Sequence, residues 1–153
     1  MSAMRPGVLL FICILLTAAS LTGCGTTDSL SPANLALEIR ADTTVFYPFD
    51  PFTGTLTFTN KSRRRIRGEF ATMGQYHVDF YDGEGVLRRS YFPNAQYQRV
   101  SFLELEPLTS RTDTLEFTLS DTTDTLPPGT YRVLAWIHGH PDINSETSIL
   151  LNY

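Results

Sequence analysis

The chain has 153 residues, 42% of them hydrophobic, a formal net charge of −4 and two cysteines. That length suits one domain with a proper core and is short for two. The acidic balance argues against general nucleic-acid binding, and two cysteines are too few for a disulfide framework or a thiolate metal cluster.

Arg5 precedes an apolar run from Val8 to Leu16, and small residues follow it. A positive start, a short apolar segment and a small-residue exit read as an export signal. The run is shorter than the roughly 20 residues that a membrane-spanning helix needs. Its exit, Leu21-Thr22-Gly23-Cys24, resembles the lipobox of bacterial lipoproteins. The resemblance implies that residues 1–23 are a cleaved lipoprotein signal and that Cys24 carries a diacylglycerol. Otherwise the segment is an ordinary cleaved signal with a cysteine beside it. In the lipoprotein reading the mature chain keeps about 130 residues, still one domain. It is tethered to a membrane through the lipid, since two or more acyl chains hold stably. It has no free thiol, because Cys13 is removed and Cys24 is modified. Gly25 stands where an Asp would favour inner-membrane retention, which points to the outer membrane of the cell envelope in a host that has one. Residues 24–34 are small and polar, without apolar periodicity, and read as a flexible tether.

From Leu35 to Tyr153 the pattern is period two. Leu35, Leu37 and Ile39 alternate with Ala36, Glu38 and Arg40. Leu56 and Phe58 alternate with threonines, Tyr76, Val78 and Phe80 with His77, Asp79 and Tyr81, and Leu115 and Phe117 with Thr114, Glu116 and Thr118. Each run predicts a strand with one buried and one wet face. Tyr131 to Ile137 is apolar on both faces, as in a central or covered strand. Asp82-Gly83-Glu84-Gly85 predicts a tight hairpin, and Pro127-Pro128-Gly129 a turn. Asn94 to Val100 reads as one turn or an irregular segment, and no amphipathic helix is found. The pattern predicts an all-β, immunoglobulin-like antiparallel β-sandwich of about seven to nine strands, with a closed barrel as the competing architecture. The predicted core is Leu56, Phe58, Phe70, Val78, Phe80, Leu115, Phe117, Tyr131, Val133 and Trp136.

Several clusters carry possible chemistry. Lys61-Ser62-Arg63-Arg64-Arg65-Ile66-Arg67 puts five cations in an otherwise acidic chain. Arg63, Arg64, Arg65 and Arg67 are therefore candidate partner contacts, facing a protease pocket or anionic headgroups. The plain alternative is a solvated hairpin whose charges discourage edge pairing. His138-Gly139-His140-Pro141-Asp142 has metal-like spacing, but one local cluster supplies at most three ligands, and a polar loop is the simpler reading. His77 and Asp79 share a strand face about 7 Å apart, too far for a direct hydrogen bond unless the strand bends. Tyr91, Phe92 and Tyr97, with Gln96 and Gln98, suit either a partner patch or packing over the sandwich end. No phosphate loop, nucleotide fingerprint, zincin helix or nucleophile elbow is present. No metal, cofactor or small-molecule substrate is expected, and the domain reads as a monomer.

The order of motifs from Phe70 to Trp136 resembles the BsuPI type of intracellular proteinase inhibitor. The matching pieces are Phe70, Gly74, Tyr76-His77-Val78-Asp79-Phe80, the Asp82 to Gly85 turn, Arg88-Arg89-Ser90, Leu105-Glu106-Pro107-Leu108, and Pro128-Gly129-Thr130-Tyr131-Arg132-Val133. Leu87 and Phe117 stand near positions where that family tends to have Trp, and Leu108 stands in place of a Gly. The resemblance implies an immunoglobulin-like sandwich over 35–153. It also implies proteinase inhibition by steric protein binding, without catalysis. Members of that family act inside cells, whereas this chain carries an export signal. A non-inhibitory adhesion or assembly lipoprotein is the alternative.

Overall fold

A computed structural model describes residues 27–47, 49–119 and 126–152. The signal, Cys24 and Gly25 lie outside them. Among the described residues ten strands run in chain order: β1 (Leu35–Ala41), β2 (Val45–Phe46), β3 (Pro51–Asn60), β4 (Ile66–Phe70), β5 (Tyr76–Tyr81), β6 (Leu87–Tyr91), β7 (Ser101–Leu105), β8 (Ser110–Thr118), β9 (Gly129–Ile137) and β10 (His140–Leu151). The fold is the all-β, immunoglobulin-like sandwich that the alternation predicts. Its strands outnumber the expected seven to nine, partly because β2 is only two residues long and leaves no periodic trace.

One layer has the order β1-β3-β8 and the other β2-β10-β9-β5-β6, with a separate β4-β7 pair. Pairing is antiparallel except for β2, which lies parallel to β10. On β3, Phe52, Leu56 and Phe58 point inward, while outward Thr57 and Thr59 share hydroxyl hydrogen bonds with Thr112 and Ser110 across the pair. β-Branched residues suit such half-exposed ladders. β9 sits between β10 and β5 and buries Tyr131, Val133, Ala135 and Ile137. Each large apolar side chain buried this way contributes about 1.5–3 kcal/mol.

Two predicted core residues are not buried in the core: Phe117 packs against its edge, and Trp136 lies outside. Phe117 is only partly buried, stacked 4.5 Å from Tyr91 and 6.1 Å from Phe52. Trp136 belongs to the outward parity of β9 and lies on the outer face of its sheet. The inward parity starts at Tyr131, whose hydroxyl donates back to the Pro127 carbonyl at 2.7 Å, the corner that starts the corresponding strand in many sandwiches.

The tether expected over 24–34 is not loose where it is described. Asp28 forms a parallel bridge to Ile66, its N–H donates to the Arg65 carbonyl (2.8 Å), and its own carbonyl accepts from Arg67 N–H (3.1 Å). β4 pairs with β7 on one edge only, so its other edge is open to this segment. Leu30 is buried over Gly68, where a Cβ would collide with the leucine side chain. One apolar residue in a polar stretch makes no periodicity, yet it fills a slot that only a glycine leaves open.

The sandwich has two distinct ends. Asp28, the 60–66 loop, Tyr76 and the β9–β10 turn share one: Tyr76 packs on Phe58, and Pro32 and Lys61 face Asp142 and Asn144 across a common cleft. At the other, Phe46 and Phe80 pack on Phe52, beside the start of β3. There Asp82 closes the β5–β6 hairpin by accepting from the N–H groups of Glu84 and Val86, with Gly85 at φ 78°.

Candidate functional site

A polar and aromatic cluster lies on the outer face of the five-stranded layer. His77 on β5 pairs in register with Trp136 on β9. The imidazole lies flat between the Trp136 and Phe92 rings, each centroid 4.0 Å away. Phe92 reaches this place because Gly74 has no Cβ to meet its ring. His138, just past β9, puts Nδ1 2.9 Å from Nε2 of His77 and leans on Phe92 at 4.6 Å. One imidazole donates in that bond and the other accepts. Burial holds the His77 pKa below its ordinary value, the neighbouring His138 adds to this, and Asp79 opposes it.

Asp79 is buried, and both carboxylate oxygens are engaged. One accepts from the Ser90 hydroxyl at 2.5 Å, the other from the Trp136 indole N–H at 2.7 Å. Ser90 faces Asp79 in register on β6. Asp79 spends both oxygens on Ser90 and Trp136, and His77 bonds to His138. A nucleophile–base relay requires the serine hydroxyl to donate to the imidazole; here it donates to the carboxylate.

The other sequence candidates disperse. His138 turns toward His77, while His140 opens β10 opposite Ile137. Among the described residues, no three His, Cys, Asp or Glu side chains gather as a metal site would require. Tyr91 packs inward against Phe80 and Phe117, Phe92 covers His77, and Tyr97, Gln96 and Gln98 are exposed. The aromatic segment thus divides between packing and surface. Tyr76 is an inner residue whose phenol is pushed up to about 12, first by burial and then by Asp113. Tyr81 lies under the Arg132 guanidinium at 4.6 Å.

The basic loop is pinned rather than floppy. Buried Asn60 donates to the carbonyls of Arg64 (2.8 Å), Leu105 (3.1 Å) and Glu106 (2.9 Å), and accepts from Ser62 N–H (2.8 Å). Lys61 Nζ donates to the Pro32 carbonyl at 2.6 Å. Arg64 pairs with Asp28 (3.6 Å), Arg65 with Glu106 (2.6 Å) and Arg67 with Glu104 (3.2 Å). Arg63 is exposed and makes no ion pair among the described residues. Asn60 and Leu30 are the organising residues that sequence reasoning missed. An Asn closing a strand looks like an ordinary turn signal, and only its burial separates the two.

No family model matches this chain, and no curated protein does. Among solved structures, a β-glucosidase from Erythrobacter marinus aligns at TM-score 0.50 and 17% identity, over 77% of this chain but 15% of that one. A β-glucosidase involved in saponin metabolism from intestinal bacteria aligns at 0.50 and 17%, over 80% and 17%. A CARDB domain from Pyrococcus furiosus aligns at 0.45 and 13%, over 78% and 88%. This chain therefore spans about a sixth of the glucosidases it resembles, and at such identities the likeness concerns fold alone.

Proposed function

We propose that this chain is a lipid-anchored protein of the bacterial cell envelope, moored through Cys24, whose sandwich binds another protein without catalysis. The BsuPI resemblance makes steric proteinase inhibition the specific activity, and the outer membrane is the favoured location. The supporting observation is an exposed aromatic turn at the end of the sandwich away from Asp28. Tyr47 and Phe49 are 55% and 66% exposed. Phe49 is held at φ 73°, a left-handed conformation that a side-chain-bearing residue adopts only when its surroundings enforce it. The turn is closed twice, by Asp50 N–H on the Tyr47 carbonyl (3.1 Å) and Tyr47 N–H on the Asp50 carboxylate (3.2 Å). A pre-shaped loop loses little entropy on binding, and aromatic residues are favoured anchors at protein interfaces. Arg64, Arg65 and Arg67 are engaged by neighbouring acids, which supports this turn over the basic loop as the surface that would meet a protease.

The test is titration of the lipidated protein, and of a Tyr47→Ser/Phe49→Ser variant, against trypsin- and subtilisin-type serine proteases. Stoichiometric loss of turnover is expected, with affinity at least about tenfold weaker in the variant, a difference of ~1.4 kcal/mol. Flat titrations with both enzyme classes remove the inhibitor reading. The assembly alternative has its own support in β6, which among the described residues stands at the edge of the five-stranded layer. A crosslinked non-protease envelope partner lost on placing a proline in β6 would favour it.

A further inference from the structure

The basic loop and Leu108 form one surface beside the point where the chain leaves for Cys24. Leu108 is 67% exposed and sits at φ 57°, so an apolar side chain is held outward in a conformation that disfavours it. Its N–H donates to the Ser62 carbonyl (3.2 Å), which places it against the loop that carries Arg63. Phe102, 40% exposed, lies under the Arg67 guanidinium at 4.0 Å on the same β4-β7 pair. Asp28 is zipped to this loop through Arg65 and Arg67. Cys24 is four positions before Asp28, a reach of at most roughly 14 Å even fully extended.

The geometry points to this surface as a second membrane contact, in which the cations engage anionic phospholipid headgroups and Leu108 enters the interface. The inference rests on the anchoring reading and extends it. A lipid on Cys24 holds the loop within that reach of the headgroups, close to the range over which charges act through about 8 Å of physiological salt. Five cations, Lys61 to Arg67, outnumber their paired acids Asp28, Glu104 and Glu106. Those ion pairs are half-exposed and so exchange readily for phosphate. Basic residues beside an exposed apolar side chain are the usual make-up of an interfacial contact. The same orientation turns the Tyr47–Phe49 end away from the bilayer, by about 30 Å along the ten residues of β3.

The experiment uses the mature lipidated protein in vesicles of phosphatidylcholine, with or without phosphatidylglycerol. A spin label is attached at Arg63→Cys, or at Phe49→Cys for the far end. In anionic vesicles the collision rate of label 63 with a water-soluble nickel reagent should fall to about half or less of its neutral-vesicle value, and return in molar salt. Label 49 should not change. Leu108→Gly in the label-63 protein separates contact from folding: it should raise the urea midpoint, by relieving the left-handed leucine, while weakening the protection. Equal exposure of label 63 in both vesicles, with acylation shown by mass spectrometry, overturns the contact and leaves the anchor standing. An unacylated protein that does not float with vesicles overturns both.

Discussion

The Trp136 indole N–H donates to the buried carboxylate of Asp79 at 2.7 Å, across two neighbouring strands and on the face away from the core. This bond explains why an aromatic residue that looks like core on sequence is retained outside it. The indole covers His77 with its ring and partners a buried charge with its edge. Buried charge is tolerated only when it is well bonded.

Asp79→Ala should therefore cost about 2–4 kcal/mol, since the indole and the Ser90 hydroxyl both lose a charged acceptor. Ser90→Ala removes one donor at an exposed position and should cost only about 1 kcal/mol. Urea denaturation of the two variants measures the difference. Equal losses would mean that Asp79 is not the hub of this cluster.

Asn60 is the second hub. Its amide serves three carbonyls and one N–H at the root of the basic loop. Asn60→Ala should lose about 2–4 kcal/mol. Asn60→Asp should lose more, because a carboxylate cannot donate and would face those carbonyls with like partial charge. Trypsin should also nick the variants faster at Arg63 to Arg65, as native-state proteolysis reports local opening. Unchanged nicking would show that the loop is held by its ion pairs instead.

How far the sequence could be read depended on whether a feature is local. Alternation at Leu35 to Arg40 and Thr53 to Thr59, and turn chemistry at Asp82 to Gly85, are fixed by neighbours and predict what forms. β9 defeats such reading, because Val133, Leu134, Ala135, Trp136 and Ile137 are apolar at both parities and nothing local says which set faces inward. The Tyr131 bond to the Pro127 carbonyl and the Trp136 bond to the Asp79 carboxylate decide it, and both partners lie outside the strand. His77 and His138 lie 61 residues apart and meet only through the β5–β9 register. Leu30 and Gly68 each look unremarkable until the segment closes over β4.

The His77 environment predicts a pH dependence. Its folded pKa lies below the ordinary value of 6.5, through burial first and then His138. The unfolded chain therefore binds the proton more readily than the folded one. The sign follows: this contribution to stability is present above about pH 6.5 and is lost as pH falls from there through the lowered folded value. Urea midpoints measured between pH 7.5 and 5 should fall on acidification. His77→Phe keeps a ring between Trp136 and Phe92 and should flatten that part of the curve. A wild-type curve that rises on acidification would contradict the assignment, as would an unaltered slope in the variant.

Leu30 and Gly68 should behave as one unit in a double-mutant cycle. Leu30→Ala empties the slot over β4 and should cost about 2–3 kcal/mol, the lower part of the range for a buried leucine, since the site is at the rim of the core. Gly68→Ala puts a Cβ where the leucine side chain lies and should cost about 1–3 kcal/mol by overpacking. With Leu30 already truncated, the three side-chain atoms nearest the new methyl are gone, and its strand propensity is better than that of glycine. The double variant should then be more stable than the sum of the two losses by about 1 kcal/mol or more. Such coupling is measurable by urea unfolding and requires contact between the two positions. Strict additivity would place Leu30 elsewhere and remove the docking of the segment that leads to Cys24.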